Sequence, residues 1–207
     1  ARVFTDGLEG ADVLWGVCDP LGVPRPLGPL HDVAADLGAS THGLLTGSAP
    51  PHEIFDELLG VLSHRSVLLV VDDLQWADEA TIDMLRFLLR RIGGTHSMVL
   101  ATYRADDLDP RHAVRALLGD VARIPAAVRL DLAPLSLEAV TAMVGMREID
   151  PADLHRLTRG NSFFVTEVIS QDGDVLPATV RDAVLGRVVD LDPAARELAD
   201  LLACAPG

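Results

Sequence analysis

The sequence predicts an α/β fold with a parallel sheet, followed by a small helical domain. The run VLLVV at 67–71 is entirely apolar and contains three β-branched valines. Such a run is typical of a strand covered on both faces, as in parallel sheets flanked by helices. Strand and helix patterns alternate up to residue 132, whereas only helical patterns follow Pro134. This alternation indicates right-handed strand–helix–strand units.

The elements of the first domain follow from short apolar runs and from apolar residues at helical spacing. Strands are predicted at 13–17, 67–71, 98–103 and 128–132. Helices are predicted from about Pro26 to Leu37 and at 52–63, 79–92 and 110–121, with a connector of small residues at 38–51. Asp78 is predicted to cap the helix at 79–92, because an aspartate side chain accepts hydrogen bonds from a helix's first amides.

Helical patterns alone follow Pro134. They lie at 136–146, 151–159, 162–169, 178–189 and 193–202. The turn-like run QDGD occupies 171–174 between the third and the fourth. We therefore expect domain changes near residues 133 and 175.

Composition and charge exclude several classes of function. Of 207 residues, 49% are hydrophobic, which is enough for a core, and no apolar run could cross a bilayer. Two cysteines, Cys18 and Cys204, are too few for a disulfide framework, so we expect a cytoplasmic protein without a membrane partner. The net charge is −14, and all 17 basic residues are arginines. We therefore expect no direct binding of nucleic acid and no lysine chemistry.

Two carboxylates follow the most apolar strand directly. Asp72 and Asp73 come immediately after VLLVV. In open α/β sheets, ligands bind beyond the carboxyl ends of the strands. Adjacent side chains there point to different sides, so one carboxylate can hold hydrated Mg²⁺ while the other orients or deprotonates water. The alternative is a solvated strand end with two surface acids.

The segment VLLVVDDLQWADEAT at 67–81 resembles the Walker B segment of STAND-class, AAA-type NTPases. It is most similar to the ATPase module of large ATP-binding LuxR-family transcriptional regulators. Further stretches resemble the same module at 13–34, at 98–104 and at 158–188. The resemblance thus covers nearly the whole chain and implies a P-loop NTPase-like sheet.

The resemblance also implies roles for individual residues. Asp72 would be the acid linked to Mg²⁺, and Asp73 would polarise the attacking water. Arg104 would be a sensor arginine that contacts the γ-phosphate, since a guanidinium at a strand's carboxyl end is a fixed cation. The alternative for Arg104 is a surface ion pair with Asp106 or Asp107. Trp76 is expected to pack at the turn between strand and helix.

The chain departs from the family pattern in two places. It contains no lysine and hence no GxxxxGK[ST] phosphate loop. We therefore expect the first strand and the phosphate loop to lie upstream, and unpaired strand edges to favour self-association. In GNSFF at 160–164, Ser162 stands where the family has a proline against adenine. Phe163 could still supply an apolar wall, and the alternative is a plain helix start after Gly160 and Asn161.

The resemblance divides the chain into an NTPase core without the phosphate loop (1–133), a helical lid (134–175) and the start of a winged-helix-like domain (176–207). The implied function is an ATP-binding and hydrolysing switch module of a transcriptional regulator, inactive by itself. Sensor and DNA-binding domains would lie beyond residue 207. The alternative is a catalytically inert interaction scaffold. A receiver-type phospho-acceptor is disfavoured, because its acidic pocket needs a lysine.

We expect this chain to bind Mg²⁺–ATP weakly or not at all. The main phosphate cradle is absent from the sequence, and a net charge of −14 repels a polyanion. Calorimetry with Mg²⁺–ATP checks this expectation. Micromolar affinity would contradict it and would require a phosphate site that the sequence does not reveal.

Overall fold

The computed structural model describes residues 2–47, 49–170, 188 and 191–203. The chain divides into two compact units, Ala1–Leu130 and Asp131–Gly207. The first unit holds a parallel sheet with helices, and the described part of the second is helical. The predicted change at residue 175 lies outside the described residues.

The sheet of the first unit has three parallel strands in the order β1-β2-β3. They are β1 (Asp12–Val17), β2 (Val67–Asp72) and β3 (Met98–Ala101). The register pairs Val17 with Asp72, and Val71 with Ala101. The predicted α/β class with a parallel sheet is therefore confirmed.

The central strand, β2, is the most deeply buried part of the sheet. Its five apolar residues, Val67 to Val71, are each at most 2% exposed. Val67, Leu69 and Val71 pack in one core with residues of the helices α5 (Pro51–His64) and α6 (Glu79–Leu89). Burial of a large aliphatic side chain contributes about 1.5–3 kcal/mol, so this strand is a major source of stability for the unit.

The remaining helices of the first unit agree in part with the prediction. They are α1 (Arg2–Asp6), α2 (Gly28–Asp32), α3 (Ala34–Leu37), α4 (Ala39–Thr46) and α7 (Ala113–Val121). The predicted single helix ending at Leu37 is interrupted at Val33, whose φ of −107° and ψ of 7° are not helical. The predicted connector at 38–51 is wrong, because α4 forms there and buries Thr41 and Leu45.

The predicted strand at 128–132 is wrong. These residues form no helix or strand, and Val128, Leu130 and Leu132 are 78%, 77% and 94% exposed. The alternating pattern is that of a strand, but a strand forms only where a neighbour pairs with its backbone groups. Among the described residues, no strand pairs with this segment.

The second unit is described as a set of helices around a small core. They are α8 (Leu137–Val144), α9 (Pro151–Thr158), α10 (Ser162–Ser170) and α11 (Pro193–Ala203). The core consists of Val140, Val144, Leu154, Val165 and Ile169. The predicted helix at 178–189 falls outside the described residues, apart from Val188. No helix in the described part of the chain is long and apolar enough to span a membrane.

Substitution of Met98 by Lys should reduce self-association. Met98 is the first residue of the edge strand β3 and is 48% exposed. A lysine there would place a charge at the strand edge through which a second chain could pair. Met146→Lys is the matched control, since Met146 is fully exposed in the second unit and the charge change is the same. Sedimentation velocity should show association in the unmutated chain and the control, and less in Met98→Lys. A monomer in all three would contradict pairing through this edge.

Candidate functional site

The carboxyl ends of the three strands form one edge of the first unit. Because the register pairs Val17 with Asp72 and Val71 with Ala101, the chain leaves all three strands at the same side of the sheet. The backbone continues the ladder beyond the strands, since the Cys18 amide donates to the Asp72 carbonyl at 3.0 Å. We refer to the segments that follow the strands here as the carboxyl edge.

Asp72 is held at this edge by a neighbouring hydroxyl. Its Oδ1 accepts a hydrogen bond from Thr102 Oγ1, just beyond β3. Asp72 is half-buried, so the remaining carboxylate oxygen is not sealed inside the core. Thr102 therefore fixes one oxygen of the acid that the sequence predicts to lie near Mg²⁺.

Asp73 departs from the strand conformation. Its φ of 60° and ψ of 50° lie in the left-handed region, which aspartate tolerates better than most residues. Its amide donates to Thr102 Oγ1 at 3.0 Å, so Thr102 joins both acidic residues. The two carboxylates have different partners, since Asp72 accepts from Thr102 and Asp73 accepts from Gln75.

Gln75 is a site residue that the sequence reasoning missed. It is 5% exposed and lies in a single 3-10 turn, Leu74–Trp76. Its Nε2 donates to Asp73 Oδ1 at 2.9 Å, and its Oε1 accepts from the Arg104 amide at 3.1 Å. The amide side chain thus links Asp73 to the backbone of Arg104. The sequence feature that could have indicated this role is the position of a polar residue between the apolar Leu74 and Trp76.

Arg104 lies beyond β3 at the same edge, and its side chain is exposed. No ion pair joins it to Asp106, Asp107 or another acidic residue in the described part of the chain. The structure therefore brings the backbone of Arg104 into the Asp73 network through Gln75. Contact of its guanidinium with a γ-phosphate stays a prediction.

Ser162 and Phe163 belong to the second unit, at the start of α10. Asn161 Oδ1 accepts from the Phe163 amide at 3.0 Å, so Asn161 caps this helix. The preceding Gly160 has a φ of +72°, and a Cβ there would lie 2.2 Å from the Leu135 carbonyl oxygen. The helix start considered as an alternative is therefore present. Phe163 is 47% exposed, and its role toward adenine stays a prediction.

Cys18 lies at the carboxyl edge but is unsuited to nucleophilic chemistry. It is 3% exposed, and burial raises the pKa of its thiol to about 12, with the negative charges of Asp78 and Asp73 acting in the same direction. The thiolate is the reactive form of cysteine, so the thiol is inert near neutral pH. Cys18 behaves as a core residue, as expected, while Cys204 lies outside the described residues.

A small cavity lies between the segment after β1 and the turn after β2. Its volume is about 40 Å³, and its lining includes Cys18, Leu21, Arg25, Trp76 and Asp78. Small-molecule sites typically enclose about 300–1,000 Å³, so this cavity cannot hold a nucleotide. Trp76 packs against the hydrophobic core as well, which confirms its expected packing role.

The donor set at the edge limits which metal it could hold. Among the described residues, no three His, Cys, Asp or Glu side chains are grouped as a metal site. Zinc sites need such a group. Mg²⁺ keeps several waters and is usually held by one or two carboxylates together with substrate phosphates, so Asp72 alone is compatible with it.

Comparisons of the chain with protein-family models, with curated proteins and with solved structures found no match. The side chains at the carboxyl edge are therefore the physical basis for assigning a function. Their common feature is that three hydrogen-bonding side chains, Thr102, Gln75 and Asp78, tie the segments after the strands to one another.

Replacement of Gln75 by Leu should destabilise the first unit. Leucine has a similar size, but it leaves Asp73 Oδ1 and the Arg104 amide without their shared partner. Both hydrogen bonds are only part-buried, so we expect a loss of about 1 kcal/mol in denaturant unfolding, the lower end of the cost of an unsatisfied polar group. Gln75→Glu should also destabilise, since it sets two carboxylates against each other. Unchanged stability in both variants would show that the link does not hold the edge together.

Proposed function

We propose that this chain is the ATP-binding and hydrolysing switch module of a transcriptional regulator, of the STAND class and similar to LuxR-family regulators. The observation that carries the proposal is the pair of acids at the carboxyl end of the central parallel strand. Ligands of open α/β sheets bind at such an edge, where a buried strand delivers polar groups to solvent.

The position of β3 supports the P-loop NTPase-like assignment. The resemblance matches VLWGV to the family's second strand and places the family's first strand between the strand ending at Tyr103 and one ending at Leu132. Among the described strands, β3 pairs with β2 alone, so its other edge is free where the family's first strand would pair. The strand expected at 128–132 does not form.

Asp72 fits the proposed Mg²⁺ ligand. It is half-buried, and one of its oxygens is already oriented by Thr102. Bound Mg²⁺ would neutralise charge on the nucleotide's phosphates. The residues of this chain would then need only to position the nucleotide and the water.

Asp73 fits the proposed role of holding and deprotonating water. Gln75 fixes one carboxylate oxygen through a bond of 2.9 Å, which leaves the other oxygen to accept a proton or a hydrogen bond from water. Through the same Gln75, the position of Asp73 depends on the backbone that carries Arg104. A γ-phosphate contact of Arg104 could therefore influence the water-holding acid.

For the second unit, the proposal rests on the resemblance alone. We assign 134–175 to a helical lid and 176–207 to the start of a winged-helix-like domain. Phe163, with its exposed ring, is the apolar group offered to adenine, and Ser162 replaces the usual proline. Sensor and DNA-binding domains of the parent regulator would be the partners of this module.

The second candidate is a catalytically inert scaffold. It is favoured by the bonds that Asp72 and Asp73 already make with Thr102 and Gln75, because these bonds would stabilise the edge without any ligand. The chain also has no lysine to complete a phosphate loop. The two candidates differ in what removal of each carboxylate does.

Asp73→Asn in the full-length protein should abolish ATP hydrolysis and leave ATP binding largely intact. An amide keeps the shape of the side chain but cannot take a proton. Asp72→Asn should also weaken Mg²⁺-dependent binding, since it removes charge beside the metal. Nucleotide affinity and single-turnover hydrolysis measure both effects. If both variants hydrolyse ATP normally, the acids are structural and the scaffold candidate takes precedence.

Arg104→Ala should reduce discrimination between ATP and ADP. The proposed partner of the guanidinium is the γ-phosphate, which only ATP carries, and a charge-assisted contact is worth about 1.5–3 kcal/mol. Arg111→Ala is the matched control, since Arg111 is another exposed arginine of the same unit. An unchanged ratio of ATP to ADP affinity in Arg104→Ala would contradict the sensor assignment.

A further inference from the structure

The segment between β1 and α2, residues 19–27, crosses the carboxyl edge as a proline-rich loop. It contains Pro20, Pro24 and Pro26, and its middle is exposed, with Val23 at 89%. Prolines have a fixed φ, so a loop with several of them moves more as a stiff unit than as a random coil. Its two ends determine where that unit lies.

The chain beyond the loop is packed directly on β1. A Cβ on Gly16 would lie 2.2 Å from the Pro29 carbonyl oxygen, so α2 contacts the strand backbone where only glycine fits. The Val17 amide also donates to Asp32 Oδ2 at 2.9 Å. These contacts fix α2 and leave Leu27, just before it, as the point where the loop can turn.

Leu27 is held in a conformation that leucine rarely adopts. Its φ of 57° and ψ of 33° are left-handed, a conformation in which the Cβ crowds the following carbonyl oxygen. The side chain is 4% exposed, and the amide donates to Asp78 Oδ1 at 3.2 Å, 51 residues away in sequence. Burial and the hydrogen bond of the amide to Asp78 therefore oppose the backbone strain, while the Leu27 carbonyl accepts from the Leu30 and His31 amides of α2 at 2.9 and 3.2 Å.

Asp78 makes two separable sets of hydrogen bonds, one to its own helix α6 and one to Leu27. Its Oδ1 also accepts from the Thr81 amide at 3.0 Å, and its Oδ2 accepts from the Thr81 hydroxyl. These bonds cap α6 and need nothing from the loop. The bond to Leu27 is additional and spans the gap between the segments after β1 and after β2.

We propose that Asp78 is a latch that holds the loop 19–27 closed over Cys18 and the cavity beside it. When the Leu27 amide leaves Asp78, Leu27 relaxes from the left-handed conformation and the loop turns outward as a unit. Opening exposes Cys18, Leu21 and the face of Trp76 that line the cavity. The loop is thus a two-position element at the carboxyl edge, and its existence does not depend on nucleotide binding.

The test compares Asp78→Ser with Asp78→Asn. Serine is a good N-cap but is one bond shorter, so it keeps the Thr81 contact and loses Leu27. Asparagine has the length of aspartate and keeps an acceptor for both amides. It also removes the same charge as serine does, so it controls for the effect of Asp78 on the reactivity of Cys18. All variants carry Cys204→Ser, which leaves Cys18 as the only thiol.

Two readouts report opening of the loop. Hydrogen exchange followed by NMR gives the protection of the Leu27 amide, and a methanethiosulfonate reagent gives the rate at which Cys18 becomes accessible. In Asp78→Ser, we expect both rates to rise about tenfold or more, while amides of α6 keep their protection. In Asp78→Asn, we expect rates within about threefold of the unmutated chain, because asparagine replaces aspartate well at such a position.

Either of two results would overturn the latch. Equal Leu27 exchange in the serine and asparagine variants would show that the bond to Leu27 holds nothing. Equal acceleration at Leu27 and throughout α6 would show that Asp78 only caps the helix. If Asp78→Ser does not fold, the test is made on the unmutated chain. The opening constants obtained from Leu27 exchange and from Cys18 labelling must then agree. Unequal constants refute a single opening motion.

Discussion

Burial of β2 on both faces is the constraint on which the rest of the first unit depends. The five apolar residues before Asp72 are each at most 2% exposed, and the strand bonds to β1 and β3 at both edges. A strand fixed in this way has no freedom at its carboxyl end, so Asp72 emerges at one defined place. The chain leaves β1 and β3 at the same edge, because all three strands are parallel.

Three polar side chains link the segments that follow the strands at this edge. Thr102 joins the segments after β2 and β3, Gln75 extends that connection to Arg104, and Asp78 joins the segments after β1 and β2. Each bonds to a segment other than its own, so each couples parts of the chain that the sheet alone would leave independent. A ligand that moved one segment would therefore shift the others through these hydrogen bonds. A switch module requires such coupling.

The sequence predicted what depends on strong local patterns. VLLVV predicted the central strand because a run of apolar and β-branched residues favours a buried strand. Asp78 predicted the cap of α6 because its capping partner, Thr81, is only three residues away. It did not predict α4, whose weak helical pattern is completed by burial of Thr41 and Leu45. It wrongly predicted a strand at 128–132, because the alternation was present and the pairing partner was not. The roles of Gln75 and Leu27 could not be predicted, since both depend on partners far away in the chain.

Binding of Mn²⁺, as a paramagnetic substitute for Mg²⁺, is the most direct test of the proposed cation site at Asp72. With a net charge of −14, the surface will attract the ion at many acids, so the comparison with Asp72→Asn is decisive. If Asp72 binds the ion, NMR broadening begins at Asp72, Asp73 and Thr102 at the lowest Mn²⁺ concentrations and is lost at these residues in Asp72→Asn. Broadening spread evenly over exposed carboxylates, and unchanged by the substitution, would contradict it.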